Sequence, residues 1–162
     1  MKELLDKISS YNLFNYLLPG VLFVIILDKF TTYSFVQDNL IIGAFVYYFV
    51  GLVISRFGSL VIEPILKKNH FLKFADYTNF VSASKKDLKI EILSEINNMY
   101  RTLFSMFVLL LLFSAYQSFE LKFPNLGQWN PYIVIILLLV MFLFSYRKQT
   151  EYIKKRIEAN NP

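Results

Sequence analysis

Cysteine is absent from the 162-residue chain, histidine and tryptophan occur once each, and charged residues make up only 18% of the sequence. Without cysteine, disulfides, thiolate metal sites and cysteine nucleophiles are excluded. The single histidine, His70, lacks partners at the spacing that a catalytic triad or a zinc site requires. The five glycines are scattered and form neither a phosphate-binding loop nor a dinucleotide-binding fingerprint. We therefore expect no enzyme activity, no cofactor and no bound metal ion.

Long apolar runs are what the chain has instead. Hydrophobic residues make up 56% of it, and 17 residues are phenylalanine. This composition is typical of membrane proteins, and spans of about 20 residues leave no room for a separate soluble domain of ordinary size. We predict an all-α, polytopic membrane protein, a single domain of residues 1–162, with four transmembrane helices at about residues 12–28, 40–62, 101–119 and 131–147.

Residues 63–100 are predicted to form a cytosolic loop followed by a helical stalk. Pro64 is expected to end the second helix, and residues 63–84 are expected to form an interfacial loop with about one helical turn. A third helix from Lys85 to Phe119 would be ~52 Å long against a hydrocarbon core of ~30 Å, so its first turns must project from the membrane. The fourth helix is expected to continue into the tail, residues 148–162. We therefore predict cytosolic helical extensions of helices 3 and 4.

Lysine and arginine are distributed unevenly over the predicted connections. Fourteen belong to the amino terminus, the middle loop with its stalk, and the tail, whereas the two opposite connections hold only Lys29 and Lys122. Because such residues are enriched in cytoplasmic segments, we predict a multi-pass protein of the cell inner membrane with both termini in the cytoplasm. The same rule accounts for the net charge of +5, so we expect the lipid bilayer, and not nucleic acid, to be the partner of the basic segments. Residues 1–10 are predicted to form a short amphipathic segment on the membrane surface.

Small residues recur along one face of the second predicted span. Gly51, Ser55 and Ser59 are spaced every four residues, and Gly58 adds a second small surface beside them. Small side chains let helix backbones approach closely in lipid, where the hydrophobic effect does not drive helices together. This face is expected to pack either against another helix of the same chain or against a second subunit, and the pattern favours neither alternative.

Arg56 is the one arginine well inside an apolar run, and Glu63 follows about two turns later along the same helix. Three interpretations stay open. In the first, Arg56 extends its guanidinium to the membrane surface. In the second, it pairs with Glu63, or with Asn97 or Asn98 of the stalk. In the third, it lines a pore as one of a ring of arginines in an oligomer.

Pro19 lies inside the first predicted span. A proline within a helix removes the hydrogen bond to the carbonyl four residues earlier, here that of Asn15, and bends the helix. We expect a kink at this point, which serves either helix packing or a hinge with a polar contact at Asn15.

Asp87, Glu91 and Glu95 follow one another at four-residue spacing along the predicted stalk. Like charges at this spacing repel one another, so we expect compensation by Lys85, Lys89 or the basic tail. The alternative makes the three acids a docking strip for a cytosolic protein partner or a signalling ligand.

The predicted architecture favours two classes of function. In the first, the protein is a non-enzymatic, homo-oligomeric sensor or effector of the inner membrane that couples the membrane to a cytosolic protein partner or opens a pore. In the second, it is a membrane anchor or scaffold that recruits a soluble partner.

The chain resembles small four-span inner-membrane proteins of bacterial anti-phage defence loci, for example the Kiwa membrane component. The resemblance lies in its size, its predicted topology and the residue content of segments such as YNLFNYLLPGVLF. The resemblance implies sensing of phage or of membrane stress, and a cytosolic partner. It implies no role for any individual residue.

Overall fold

The computed structural model describes residues 12–160, so the predicted amphipathic segment of residues 1–10 lies outside the described residues. The described part of the chain forms helices and short connections and contains no β-strand. Its helices are α1 (Leu13–Phe30), α2 (Leu40–Lys68), α3 (Tyr77–Lys86), α4 (Lys89–Glu120) and α5 (Asn130–Glu158), and a 3₁₀ turn, Pro124–Trp129, leads into α5.

Four of these helices are long and apolar enough to cross a membrane: α1, α2, α4, and α5 together with the turn before it. The prediction of an all-helical chain with four such helices is confirmed.

Consecutive long helices run in opposite directions. We call the end of the bundle where α2 ends and α4 begins the basic end, and the end formed by residues 31–39 and 121–129 the loop end.

Helices α1 and α2 pack backbone to backbone. A Cβ atom added to Gly20 would overlap the carbonyl oxygen of Tyr47, and one added to Gly51 would overlap the carbonyl oxygen of Tyr16. Only glycine permits such an approach, which increases van der Waals contact between the helices. Helix α4 packs beside this pair, and apolar side chains of the three helices form the buried core: Phe23, Val24, Leu27, Ile54 and Met106.

Helix α2 does not end at Pro64 but continues to Lys68. The turn before the proline, Gly58–Ile62, is a π turn, in which the N–H of Glu63 donates to the carbonyl of Gly58 five residues earlier. A wider turn accommodates the proline ring and its missing N–H, so the helix bends without breaking. The predicted end of the second helix at residue 62 is therefore corrected.

Helix α1 uses the same local structure before Pro19. The π turn Leu13–Leu17 precedes it, and the N–H of Leu18 donates to the carbonyl of Leu13. The irregularity expected at Pro19 is thus a wide turn that begins at the first residues of the helix. It places the Asn15 side chain in the interior of the bundle, where its exposed fraction is 1%.

The segment between α2 and α4 is more helical than the sequence predicts. Residues 77–86 form a helix of their own, α3, which buries Val81 and Ser84. Asp87 then has an extended backbone conformation, and α4 begins at Lys89 instead of Lys85. The break follows from that extended conformation, which interrupts the run of helical hydrogen bonds.

Helix α5 is the most loosely packed of the long helices, because none of its residues is buried. Its apolar middle touches α2 through the stacked rings of Phe49 and Phe142, whose centroids are 6.1 Å apart. Leu138 and Met141 are half-buried, and most of the other apolar side chains of this segment are exposed, as is typical of a helix that faces lipid.

The contact between α1 and α2 predicts the effect of adding one methyl group. We expect Gly51→Ala to lower the free energy of unfolding by about 1 to 3 kcal/mol, because the Cβ would meet backbone that cannot rotate away. Gly43→Ala is the matched control: its Cβ would lie 3.3 Å from the Tyr47 ring, so the change should stay within about 1 kcal/mol. Unfolding of both variants in detergent measures the difference, and equal stability would contradict the close contact.

Candidate functional site

Glu63 is the one buried charged residue in the described part of the chain, with an exposed fraction of 6%. Its Oε2 accepts a hydrogen bond from Arg101 Nη1 at 2.6 Å, and its Oε1 accepts one from Lys67 Nζ at 3.0 Å. Lys148 Nζ lies 3.8 Å from Oε1. A carboxylate can be buried only when cations and hydrogen bonds replace its hydration. Here α2, α4 and α5 each supply a cation.

Lys148 binds the π turn of α2 as well as the carboxylate. Its Nζ donates to the carbonyl of Ser59 at 2.7 Å and contacts Ser59 Oγ at 2.8 Å. The N–H of Glu63 bonds to Gly58, and Pro64 has no N–H, so the Ser59 carbonyl is left available for the lysine. The proline and the π turn thus create the acceptor that holds α5.

A second polar layer lies next to these ion pairs, deeper in the bundle. The hydroxyl of Thr102 is 3.0 Å from Asn15 Oδ1, 3.3 Å from Ser55 Oγ and 2.9 Å from the Asn98 carbonyl. Thr102, Asn15 and Ser55 are all buried, and they belong to α4, α1 and α2. Because a buried polar group needs a hydrogen-bond partner, this layer fixes the rotation of the three helices relative to one another.

The four small residues predicted as a packing face all lie in contacts within the chain. Gly51 faces the backbone of Tyr16, and Ser55 faces Thr102. A Cβ added to Gly58 would overlap Ser105 Oγ, and Ser59 binds Lys148. Of the two alternatives left open by the sequence, these contacts correspond to packing within one chain.

Arg56 does not pair with Glu63, which corrects one of the three interpretations. The π turn between them inserts about one residue and rotates the following helix by about 100°, so the two side chains no longer share a face. Arg56 is half-buried, and it forms no ion pair or hydrogen bond with any residue of the described range 12–160. Extension to the membrane surface and a ring of arginines stay predictions.

The predicted acidic strip is divided by the break between α3 and α4. Asp87 lies in the connection, where its Oδ1 accepts the N–H of Lys89 at 2.9 Å. Glu91 and Glu95 are exposed on the first turns of α4. None of the three forms an ion pair with another residue between 12 and 160, so the expected compensation by lysines is not present there. A docking strip stays a prediction.

Arg101, Lys148 and Thr102 belong to the site but were not expected there from the sequence. A usable signal existed for the two cations: like Glu63, each adjoins one end of an apolar run. In an antiparallel bundle those ends lie at the same level, so the three charges can meet. Thr102 carried no comparable signal, because a single threonine in a helix is compatible with many environments.

Within residues 12–160, no three His, Asp or Glu side chains converge as metal ligands.

A separate set of hydrogen-bonded side chains lies at the loop end of the bundle. The Tyr33 hydroxyl donates to Glu120 Oε2, and Asn130 Nδ2 donates to Glu120 Oε1 at 3.0 Å. Tyr116 donates to Asn130 Oδ1 at 2.6 Å. Burial, together with the hydrogen bond to Glu120, raises the pKa of Tyr33 above its ordinary value. These bonds join residues 31–39 to α4 and to the start of α5.

No protein-family model, curated protein or solved structure matches the chain. The function therefore has to be inferred from the contacts of the chain itself.

Loss of the buried carboxylate should destabilise the bundle. We expect Glu63→Gln to lower the free energy of unfolding by about 3 to 5 kcal/mol, because Arg101 and Lys148 would keep their charges without a counter-charge. Glu151→Gln is the control, since Glu151 pairs with Arg147 at 3.2 Å on the surface; it should cost less than about 1 kcal/mol. Chemical unfolding in detergent gives both values, and similar losses in the two variants would refute the structural role of Glu63.

The Tyr33 hydrogen bond predicts a pH dependence. Because its pKa is raised in the folded chain, the folded chain keeps this proton at a pH where the unfolded chain has lost it. Stability should therefore fall as the pH rises above about 10, the ordinary pKa of tyrosine. In Tyr33→Phe the fall should be smaller, whereas in Tyr132→Phe, which changes an exposed tyrosine, it should match the wild type. Thermal unfolding over a pH series tests this, and identical pH profiles for all three proteins would contradict it.

Proposed function

We propose that this protein is a non-enzymatic, multi-pass membrane protein that acts as a homo-oligomeric sensor or effector. It couples the state of the bilayer to the helical extensions of α4 and α5 at the basic end. The observation that carries the proposal is the set of ion pairs at Glu63, which join three of the four candidate spans close to the point where two of them continue into polar extensions.

The coupling follows from the position of Glu63 between three helices. A displacement of α2 relative to α4 stretches the bond to Arg101, and a displacement relative to α5 stretches the contact with Lys148. A partly broken buried ion pair is strongly unfavourable, so the helices should move between discrete paired arrangements instead of sliding gradually. Any such rearrangement changes the angle at which the extensions of α4 and α5 leave the bundle.

The proposed orientation places the basic end in the cytoplasm of a bacterial cell, because lysine and arginine are concentrated there. The first turns of α4 then offer a cytosolic partner an exposed surface with acidic and apolar parts: Glu91, Glu95, Ile92, Leu93 and Ile96. Subunits of the proposed homo-oligomer would meet through surfaces other than the small-residue face of α2, since that face is occupied within the chain. The resemblance to anti-phage membrane proteins supports phage infection or membrane stress as the stimulus.

The absence of cysteine allows a direct test of the coupling. Spin labels on Glu95→Cys and Lys154→Cys report the distance between the two extensions, and labels on Lys29→Cys and Lys122→Cys report the loop end. Electron–electron dipolar distances are measured in nanodiscs of short-chain and long-chain phosphatidylcholine. We expect the 95–154 distance to shift by about 2 Å or more between the two bilayers and the 29–122 distance to shift less.

The Glu63→Gln background should broaden the 95–154 distances and remove their dependence on bilayer thickness. A protein labelled only at Glu95→Cys shows whether particles contain more than one copy, since any dipolar signal must then come from a second subunit. If the 95–154 distance is the same in both bilayers, the protein is a passive anchor or scaffold. If the singly labelled protein gives no dipolar signal, the homo-oligomer is refuted.

A further inference from the structure

The side chains around Glu63 carry more positive than negative charge. Lys67, Arg101 and Lys148 all lie within 4 Å of its carboxylate oxygens, at 3.0, 2.6 and 3.8 Å. A fourth cation, Arg56, is close enough for its charge to act on the Lys148 ammonium. We call these four side chains the basic cluster. The basic cluster therefore holds four cations around the single buried carboxylate of Glu63.

The basic cluster also has hydrogen-bond donors that the described part of the chain does not use. The Nε of Arg101 is buried and has no hydrogen-bond partner among residues 12–160. Arg56 likewise donates to none of those residues. A guanidinium donor without an acceptor is unfavourable, and because part of the Arg101 side chain is exposed, an acceptor from outside this part of the chain can reach its guanidinium group. Because both of these donors belong to guanidinium groups, they suit the oxygens of a phosphate.

An exposed apolar side chain lies directly beside the basic cluster. Lys67 Nζ is 4.0 Å from the centroid of the Phe74 ring, and Phe74 is 50% exposed. The cluster itself lies where the apolar segments of α2, α4 and α5 end, which is the level of lipid headgroups in a bilayer. A free phosphate ion gains nothing from exposed phenylalanine, whereas a lipid brings acyl chains that can cover it.

We propose that the basic cluster binds the phosphate group of an anionic phospholipid. The phosphate supplies negative charge to the basic cluster and the acceptors that Arg56 and Arg101 lack, while Glu63 holds Arg101 and Lys148 in position. Zwitterionic lipids also carry a phosphate, but their cationic amine would be brought among the cations of the cluster and repelled. Binding requires insertion in a bilayer but does not depend on the proposed coupling between the spans and the extensions.

Delipidated full-length protein in neutral detergent provides the test. Phosphatidylglycerol, phosphatidylcholine or inorganic phosphate is added, and bound lipid is counted by native mass spectrometry while the unfolding temperature is recorded. We expect phosphatidylglycerol to bind and to raise the unfolding temperature more than either of the other two. Arg56→Gln should weaken phosphatidylglycerol binding about fivefold, because one basic residue near a phosphate is removed.

Arg56 makes no ion pair with Glu63, so the Arg56→Gln variant should keep the fold. Lys67→Gln, which changes the partly exposed lysine of the basic cluster, serves as a second variant. Lys154→Gln is the control, since Lys154 is exposed on the same helix as Lys148 and outside the basic cluster. Equal binding of phosphatidylglycerol and phosphatidylcholine would overturn the proposal, and so would equal affinity of the Arg56 and Lys154 variants for phosphatidylglycerol. Equal stabilisation by inorganic phosphate would overturn the lipid as the source of the phosphate.

Discussion

Burial of the Glu63 carboxylate sets a condition that the rest of the basic end has to meet. A carboxylate removed from water needs cations at hydrogen-bonding distance, and here they come from its own helix, from α4 through Arg101 and from α5 through Lys148. Helix α2 in turn holds α1 through backbone contact at Gly51. All four long helices are thereby positioned with respect to one residue of α2.

The two π turns have structural consequences beyond the bends that they cause. In both α1 and α2 the wide turn ends two residues before its proline and shifts the hydrogen-bonding register by one residue. In α2 this shift leaves the Ser59 carbonyl to Lys148 and rotates Arg56 away from Glu63. In α1 the corresponding turn holds the buried Asn15 beside Thr102. Proline therefore shapes the polar interior of the bundle as well as its curvature.

The four long helices are not equally buried in the bundle, and this difference bears on the proposed function. Helices α1, α2 and α4 share the apolar core, whereas α5 has no buried residue. Polar contacts hold α5 near its two ends, through Lys148 at the basic end and Asn130 at the loop end, and the Phe142 ring stacks on Phe49 between them. Polar contacts at the level of lipid headgroups depend on the charges around them more than apolar packing does. If the proposed function is correct, we therefore expect α5 to be the element that responds to a change in the bilayer or in bound anions.

The sequence by itself determined the helical class, the four long apolar helices and their approximate positions, because apolar runs of that length leave few alternatives. It also indicated Arg56, with Glu63 as a possible partner, and the small residues of α2 as a packing face. Only the tertiary structure decided which cations reach Glu63 and what the small residues face, since these depend on helix rotation. Helix α2 passes Pro64 through a π turn that residue type alone does not predict. Helix α3 has Tyr77, Phe80, Val81 and Ser84 at helical spacing, a local signal that the expectation of a loop over residues 63–84 did not use.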